Sequence, residues 1–149
     1  MTQRYWEDVQ EGDVLEPLAF PLTVYRLVVA AGANRDFNAI HHNSEYAKAS
    51  GAPEIYANTL FLQGMWERSV REYIGLAGTI HTLSGFRMNS FNCVGDTVTV
   101  QGTVKRKWRD NDRHLLEITL WSTNSAGVSV GPGAMVVGLP TREEAPCQP

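Results

Sequence analysis

The sequence predicts an α+β domain in which one antiparallel sheet curls around a single long helix. Two observations support this prediction. Before Gly78 the apolar residues recur with helical spacing, and the longest helix is expected from Tyr56 or Ala57 to Tyr73 or Ile74. After Gly78 the chain becomes rich in β-branched and aromatic residues, which favour strands. A run of helices followed by a run of strands is typical of α+β proteins.

Four strands are predicted after the long helix, at residues 79–90, 97–108, 114–123 and 128–139. The short segments between the last three, 109–112 and 124–127, and the Val94-Gly95-Asp96 segment before them are rich in turn-forming residues. Short turns join antiparallel neighbours, so a single antiparallel sheet is expected.

The N-terminal part of the chain predicts a turn, an irregular strand and two helices. Glu11-Gly12-Asp13 is a turn signal, and two prolines within residues 14–22 favour an edge or irregular strand. Thr23 can cap a first helix that ends near Asn34 or Arg35. A second helix is expected over residues 44–50, closed by Gly51.

Length, composition and charge narrow the possible functions. At 149 residues the chain has the length of one domain, predicted over residues 1–140, with a loose polar tail at 141–149. The formal charge of −3 argues against nucleic acid as the main partner, because binding phosphates needs a concentrated basic face. The first residues lack a signal-like apolar core, and no stretch approaches the ~18 apolar residues of a membrane span, so a cytoplasmic protein is expected.

The two cysteines, Cys93 and Cys147, are far apart in the sequence. Neither lies in a Cys-x-x-Cys pair or near a histidine at the spacing of metal ligands. They are therefore predicted to be reduced thiols without a catalytic role, and no metal is expected.

The segment Asp36-Phe37-Asn38-Ala39-Ile40-His41 is the strongest candidate for chemistry. It places a carboxylate and an imidazole five residues apart around an amide. In a continuous α-helix these side chains would lie about 140° apart around the axis, so they can converge only if the chain turns between them. The segment is therefore expected to be a loop that leaves a helix, where Asp36 and His41 could hold one water molecule.

The run from Arg35 to His41, followed by Ser44-Glu45-Tyr46-Ala47, resembles the Asp-x-Asn-x-x-His signature of MaoC-like, R-specific enoyl-CoA hydratases. The stretches 7–13 and 94–100 resemble the opening and the middle turn of the same family, so the resemblance spans roughly residues 5–138. It implies the hot-dog fold, in which an antiparallel sheet wraps a long helix.

The resemblance also implies a reaction. It is the reversible hydration of trans-2-enoyl-CoA to (R)-3-hydroxyacyl-CoA, with water held by Asp36 and His41 and with Asn38 fixing the loop or the carboxylate. Which of Asp36 and His41 is the base stays open, and His41 is favoured over His42 because only His41 keeps the five-residue spacing. The coenzyme A thioester is the substrate, and neither a cofactor nor a metal is implied.

The sequence departs from this family at the position that binds the thioester carbonyl. The family has His-Gly at the start of the long helix, whereas the corresponding stretch of this chain, residues 52–59, has no such pair, and Ala39 replaces a usual proline. Possible contacts for the carbonyl oxygen are Ile55, Tyr56, Asn58 and Thr59. The departures resemble the small subunits of heteromeric steroid-side-chain hydratases, which implies a roomy acyl pocket.

Several alternatives stay open at this stage. The chain could instead be a hot-dog acyl-CoA thioesterase or a non-catalytic hot-dog subunit of a hydratase complex. Its partner could be a second copy or another hot-dog chain. Arg87 and the basic run 105–107 could contact coenzyme A phosphates, but a solvated strand, with Lys105 and Lys107 on one face and Arg106 on the other, is the favoured interpretation.

Overall fold

A computed structural model describes residues 2–143 of the chain. The helices are α1 (Val24–Ala33), α2 (Ser44–Ala49) and α3 (Thr59–Ile74). The strands are β1 (Leu18–Pro21), β2 (Thr79–Ser84), β3 (Thr97–Asp110), β4 (Arg113–Asn124) and β5 (Gly127–Gly138). Two short 3-10 turns complete the structure, at Trp6–Asp8 and Ala39–His41.

The five strands form one antiparallel sheet in the order β1-β3-β4-β5-β2. The three long strands, β3, β4 and β5, are joined in sequence by tight turns, as the turn-forming residues predict. The sheet curls around α3, and the predicted α+β arrangement is confirmed.

The core lies between α3 and the concave face of the sheet, and Trp66 of α3 is its largest fully buried side chain. The Trp66 indole donates a hydrogen bond of 2.7 Å to the Ser122 hydroxyl in β4. Gly131 of β5 has a φ of +84°, and a Cβ there would lie 3.0 Å from the Trp66 ring. The sheet therefore needs a glycine where it packs against the Trp66 ring.

The long helix begins at Thr59, so the prediction that it begins at Tyr56 or Ala57 is wrong. Tyr56 instead forms an isolated antiparallel bridge with Cys93. The Ala57 N–H donates to the Asn92 carbonyl at 2.9 Å. These long-range backbone hydrogen bonds hold the segment extended until Asn58, which caps α3.

The strand predicted at 79–90 is shorter than expected, because β2 ends at Ser84. Gly85 follows with a φ of +65° and turns the chain. The segment then runs beside β5 through a single bridge between Met88 and Val130. Residues 88–92 are thus free of regular structure, and they form one wall of the cleft described below.

The basic run in β3 does not alternate as predicted. The register of β3 against β4 shifts between Val104 and Arg106, and this bulge leaves Lys105 and Arg106 both exposed. Lys105 pairs with Glu117 at 2.9 Å. Lys107 lies over the Trp6 ring, 4.3 Å from its centroid, and its ammonium donates to the carbonyls of Trp6 and Val9 at 2.7 and 2.6 Å.

Residues 144–149 of the predicted tail, including Cys147, lie outside the described part of the chain. The elements within residues 2–143 share one hydrophobic core, while the boundary at residue 140 stays a prediction. No helix among these residues is long and apolar enough to cross a membrane. The cytoplasmic location stays a prediction as well.

The Lys107 ammonium should be a main support of the N-terminal segment. We expect Lys107→Met to lower the free energy of unfolding by about 2 kcal/mol, because two partly buried carbonyls lose a charged donor. Lys105→Met is the control and should cost less than about 1 kcal/mol, because it removes only an exposed ion pair. Urea denaturation measures both, and equal effects of the two substitutions would contradict this role of Lys107.

Candidate active site

The candidate catalytic loop begins where α1 stops. The N–H of Arg35 donates to the Gly32 carbonyl at 3.1 Å, and the N–H of Asp36 donates to the Ala31 carbonyl at 2.9 Å. This pair of hydrogen bonds is a Schellman motif, which ends a helix with one left-handed residue. That residue is Arg35, with a φ of +54°. Asp36 is thus held by the helix end itself.

The structure brings Asp36 and His41 into direct contact. The distance from His41 Nε2 to Asp36 Oδ2 is 3.0 Å. The other ring nitrogen, Nδ1, lies 2.7 Å from the carbonyl oxygen of Tyr56. The His41 side chain is buried, whereas the Asp36 carboxylate is about one-third exposed. A water bound to both groups would lie beside their contact, since the contact leaves no room for a water between them.

The Tyr56 carbonyl fixes which nitrogen of His41 carries a proton. A carbonyl can only accept, so Nδ1 must donate to it. In the neutral ring Nε2 then has a free lone pair and can take a proton. In the imidazolium form Nε2–H donates to the Asp36 carboxylate. The arrangement therefore suits a base that passes between these two forms.

The turn between Asp36 and His41 is built by Asn38. Its Oδ1 accepts from the Ile40 N–H at 3.2 Å and caps the Ala39–His41 turn. The Asn38 amide therefore contacts the loop, and the structure shows no hydrogen bond from it to the Asp36 carboxylate. His42 points elsewhere, with its Nε2 3.4 Å from the Phe37 carbonyl.

Tyr56 packs against His41 and also lines a cleft of about 500 Å³. Its ring packs edge-on against His41, with centroids 5.3 Å apart, and against Phe91 at 4.9 Å. Burial, with a smaller contribution from the Asp36 carboxylate, raises the pKa of the Tyr56 phenol, so the phenol keeps its proton at neutral pH. We call this hollow the Phe91 cleft, and its lining comprises Tyr56, Ala57, Met88, Asn89, Ser90, Phe91 and Asn92.

The N-terminus of α3 lies next to this cleft. Asn58 Oδ1 caps the helix by accepting from the Phe61 N–H at 2.8 Å. The same oxygen accepts from the Asn34 amide at 3.2 Å, which ties α3 to the end of α1. Thr59 Oγ1 lies 3.9 Å from the sulfur of Met88 in the cleft wall. The first turn of α3 therefore adjoins the Met88 wall of this cleft.

The candidate carbonyl contacts differ in what they can still bind. The Ile55 N–H already donates to the Glu54 carboxylate at 2.9 Å, and the Ile55 side chain is buried in the core. Ile55 is therefore not free to donate to a substrate. The N–H groups of Thr59 and Leu60 have no partner among the described residues. Among residues 2–143, no group of three or more His, Cys, Asp or Glu side chains could hold a metal ion.

Glu54 anchors the segment that leads to α3. Its carboxylate accepts from the Lys48 ammonium at 2.9 Å and from the Ile55 N–H at 2.9 Å. The hydrogen bond from Lys48, followed by those from Ser44 and the Ile55 backbone, lowers the pKa of Glu54 to about 2. The end of α2 and the strand-like segment before α3 are thus held together.

The comparisons with known proteins agree with this fold. No family model matches the chain. Among solved structures, the R-hydratase PhaJ1 of Pseudomonas aeruginosa superposes with a TM-score of 0.82 at 18% identity, over 97% of this chain and 94% of that one. The (R)-hydratase of A. caviae gives a TM-score of 0.80 at 19% identity, over 90% and 99% of the two chains. The chain has the hot-dog fold, and its resemblance to MaoC-like hydratases and dehydratases is confirmed.

Two further matches come from Mycobacterium tuberculosis. A chain of the ChsH1-ChsH2 complex is 29% identical, with a TM-score of 0.78 over 88% of this chain and 98% of that one. The beta subunit of 3-oxo-4,17-pregnadiene-20-carboxyl-CoA hydratase is 35% identical over 78 residues, 52% of this chain. The matched region spans 60% of that subunit's length. The predicted similarity to subunits of heteromeric hydratases is thus confirmed.

Three features of the site were not predicted from the sequence. They are the hydrogen bond between His41 Nδ1 and the Tyr56 carbonyl, the left-handed backbone conformation of Arg35, and the hydrogen bond between Asn34 and Asn58. Only the hydrogen bond of Asn58 involves a residue whose role the local sequence indicates. Asn is a preferred cap, and Asn58 stands just before an apolar helical run, so it could have been recognised as the residue before the helix.

The lowered pKa of Glu54 predicts a pH dependence of stability. A depressed native pKa stabilises the fold above the unfolded value of 4.5, and this contribution disappears as the pH falls toward 2. The stability difference between the wild type and Glu54→Gln should therefore be largest above pH 4.5 and vanish near pH 2. Urea titrations at several pH values measure it.

Glu45→Gln is the matched control, because Glu45 lies on α2, the helix of Lys48, but has no ion pair among the described residues. As the pH falls, the stability of Glu45→Gln should decrease as it does in the wild type. A Glu54→Gln variant that loses stability with pH as steeply as the wild type would contradict the anchoring role of Glu54.

Proposed function

We propose that this chain hydrates a trans-2-enoyl thioester of coenzyme A to the (R)-3-hydroxyacyl thioester, and catalyses the reverse dehydration. The observation that carries the proposal is the contact between Asp36 and His41 beside the N-terminus of α3. Hydration needs a base for water, an acid for C2, and donors for the charge that develops on the thioester oxygen. All three kinds of group occur together here.

His41 is the base in this mechanism. With its Nδ1 proton donated to the Tyr56 carbonyl, the neutral ring offers Nε2 to a water molecule that displaces the Asp36 oxygen from it, and the contact with Asp36 re-forms once the water has reacted. The water oxygen bonds to C3 of the substrate while its proton passes to Nε2. The electron pair of the double bond moves toward the thioester oxygen, which becomes enolate-like. Asp36 stabilises the imidazolium that forms, through the 3.0 Å contact.

The proton then returns to C2 on the same face, from the pair formed by His41 and Asp36. This step restores the neutral ring and collapses the enolate to the thioester, so no proton is gained or lost overall. The backbone N–H groups of Thr59 and Leu60 at the start of α3 are the proposed donors to the thioester oxygen, where the helix dipole also favours negative charge.

Two hollows flank this start of α3 and suit the two arms of the substrate. A groove of about 420 Å³ between α1 and α3 is lined mainly by apolar side chains, including Phe20, Val29 and Leu60. We assign it to the acyl group and call it the acyl groove. The Phe91 cleft, which carries amide and hydroxyl side chains, is assigned to the pantetheine arm. Both volumes fall in the usual range for small-molecule sites.

We also propose that the working protein is an assembly with a second hot-dog chain, either a copy or a different subunit. The structure match to a chain of the ChsH1-ChsH2 complex supports this. The β2 edge of the sheet, unlike β1 with its Pro21, has no proline and pairs only with β5 among the described strands. An open strand edge favours pairing with another chain.

Removing either member of the pair should abolish most of the activity. We expect Asp36→Asn and His41→Ala each to lower the rate of enoyl-CoA hydration by at least ~100-fold, as for loss of a general acid or base. The loss of ultraviolet absorbance of the conjugated thioester measures the rate, over a panel from crotonyl-CoA to bulky acyl groups. The chain is assayed alone and co-expressed with a candidate hot-dog partner.

His42→Ala is the matched control and should keep wild-type turnover, because His42 does not contact Asp36. Unchanged turnover in the Asp36 or His41 variant would contradict the catalytic role of that residue and favour a non-catalytic subunit. Release of free coenzyme A thiol in place of hydration would instead identify a hot-dog thioesterase.

The acyl groove can be narrowed without disturbing the fold. A Cβ at Gly64, which lines the groove, would meet no atom within 4 Å. We expect Gly64→Leu to lower kcat/KM for the bulkiest accepted enoyl thioesters at least about tenfold, the scale of a blocked hydrophobic contact, while crotonyl-CoA is little affected. Gly32→Leu, on α1 outside the groove and equally open, should leave the acyl preference unchanged. An unchanged preference in Gly64→Leu would exclude this groove as the acyl site.

A further inference from the structure

One charged side chain lines the otherwise mostly apolar acyl groove. Among the described residues around the groove, Arg26 is the one with a formal charge. Arg26 is exposed, and no carboxylate within residues 2–143 forms an ion pair with it. A guanidinium presents planar N–H donors that match the two oxygens of a carboxylate. An arginine without a counterion in the wall of a binding groove therefore indicates recognition of an anion.

The backbone of β1 holds the Arg26 guanidinium at one end of this groove. Nη1 donates to the Pro21 carbonyl at 2.9 Å, and Phe20, the residue before Pro21, lines the groove. This bond uses one N–H donor of the guanidinium and leaves the others available. Because the side chain is already oriented by this bond, binding an anion costs less conformational entropy.

The opposite end of the groove is the catalytic end. Asn34, which lines the groove there, bonds to Asn58 at the start of α3, and Asp36 follows Asn34 by two residues. Arg26 precedes Asn34 by eight residues, which corresponds to about 12 Å along an α-helix. The groove residues of this segment, 26, 29, 30, 33 and 34, are three or four apart and share one face of α1. The groove therefore runs along α1 from the reacting groups to the guanidinium.

We propose that Arg26 binds a carboxylate at the distal end of the acyl chain, so that the favoured substrates are enoyl thioesters whose acyl group ends in an acid. This inference rests on the proposed hydratase function and on the assignment of the acyl groove. An extended chain with bonds of about 1.5 Å needs about ten carbons to span the length of the groove along α1. Its methylene groups contact the apolar wall, and the terminal carboxylate accepts from the guanidinium.

Coenzyme A also carries anionic groups, its phosphates. The Phe91 cleft, which is assigned to the coenzyme A arm, shares no lining residue with the acyl groove. In the proposed arrangement the phosphates therefore extend from the other hollow. The distal end of the acyl chain is the part of the substrate that reaches Arg26.

The test compares thioesters that differ only at the distal end of the acyl chain. The enoyl-CoA substrates have about eight to twelve carbons beyond C3 and end in a carboxylate, in the methyl ester of that acid, or in an ammonium group. Arg26→Met removes the charge and Arg26→Glu reverses it. Both keep the backbone N–H of residue 26, which donates to the Thr23 cap of α1. Arg109→Met is the matched control, since Arg109 is exposed on β3, does not line the groove and has no ion pair among the described residues.

We expect the wild type to hydrate the acid with a kcat/KM about tenfold above that of the methyl ester, the scale of a charge-assisted hydrogen bond at an accessible position. Arg26→Met should reduce this ratio to within about twofold, while the ester and crotonyl-CoA keep their wild-type kcat/KM. Arg26→Glu should favour the ammonium-ended chain over the acid by at least about tenfold. Arg109→Met should leave every ratio unchanged. Crotonyl-CoA is too short to reach Arg26, so its turnover reports folded enzyme in each variant.

Equal kcat/KM values for acid and ester in the wild type, at every chain length, would overturn the role of Arg26 while the hydratase function stands. An equal loss for all substrates in Arg26→Met, crotonyl-CoA included, would also overturn it, because that pattern assigns Arg26 to the coenzyme A phosphates or to the fold. The preference for the acid should persist with N-acetylcysteamine thioesters, which lack those phosphates. A wild-type chain that hydrates no enoyl thioester, alone or with its partner, would overturn the proposed function and this inference together.

Discussion

A single side-chain oxygen, Asn58 Oδ1, connects the fold to the site. By accepting from the Phe61 N–H it sets where α3 begins, and by accepting from Asn34 it ties that point to the end of α1. The sheet wraps α3, so the position of the first turn of the helix is fixed relative to every strand. Asp36 follows the α1 end and His41 contacts the backbone just before the cap. This capping interaction, together with the end of α1 and the Tyr56 carbonyl, sets how Asp36, His41 and the start of α3 lie relative to one another.

The sequence predicts the elements best where one local rule applies throughout. The strands from residue 97 onward lie within two residues of their predicted bounds because turn residues delimit them and β-branched residues fill them. The errors fall where distant backbone overrides local pattern. Tyr56 and Ala57 have helical spacing, yet the hydrogen bond from Ala57 to Asn92 and the bridge between Tyr56 and Cys93 keep them extended. The bulge at Lys105 is a second case, since a one-residue shift of register has no composition signature.

In the candidate site too, features set by local geometry could be predicted and features set by distant backbone could not. The spacing of Asp36 and His41 was enough to predict a turn between them, because helical geometry forbids their contact otherwise. The acceptor that orients His41 could not be predicted, because it is a main-chain carbonyl, which every residue has. A departure from the family pattern over residues 52–59 identified the stretch of interest, but only the hydrogen bonds show that the side-chain oxygen of Asn58 is used as an acceptor while its nitrogen has no partner.

The left-handed Arg35 places a conformational cost directly beside the Asp36 carboxylate. A side chain with a Cβ at this φ is disfavoured by roughly 1 kcal/mol, which glycine would avoid. Glycine, however, would also allow the backbone before Asp36 to visit other regions, and would loosen the helix end that aims the carboxylate. Arg35 therefore exchanges some folding free energy for a narrower range of Asp36 positions. Selection for thermal stability and selection for turnover would act on this residue in opposite directions.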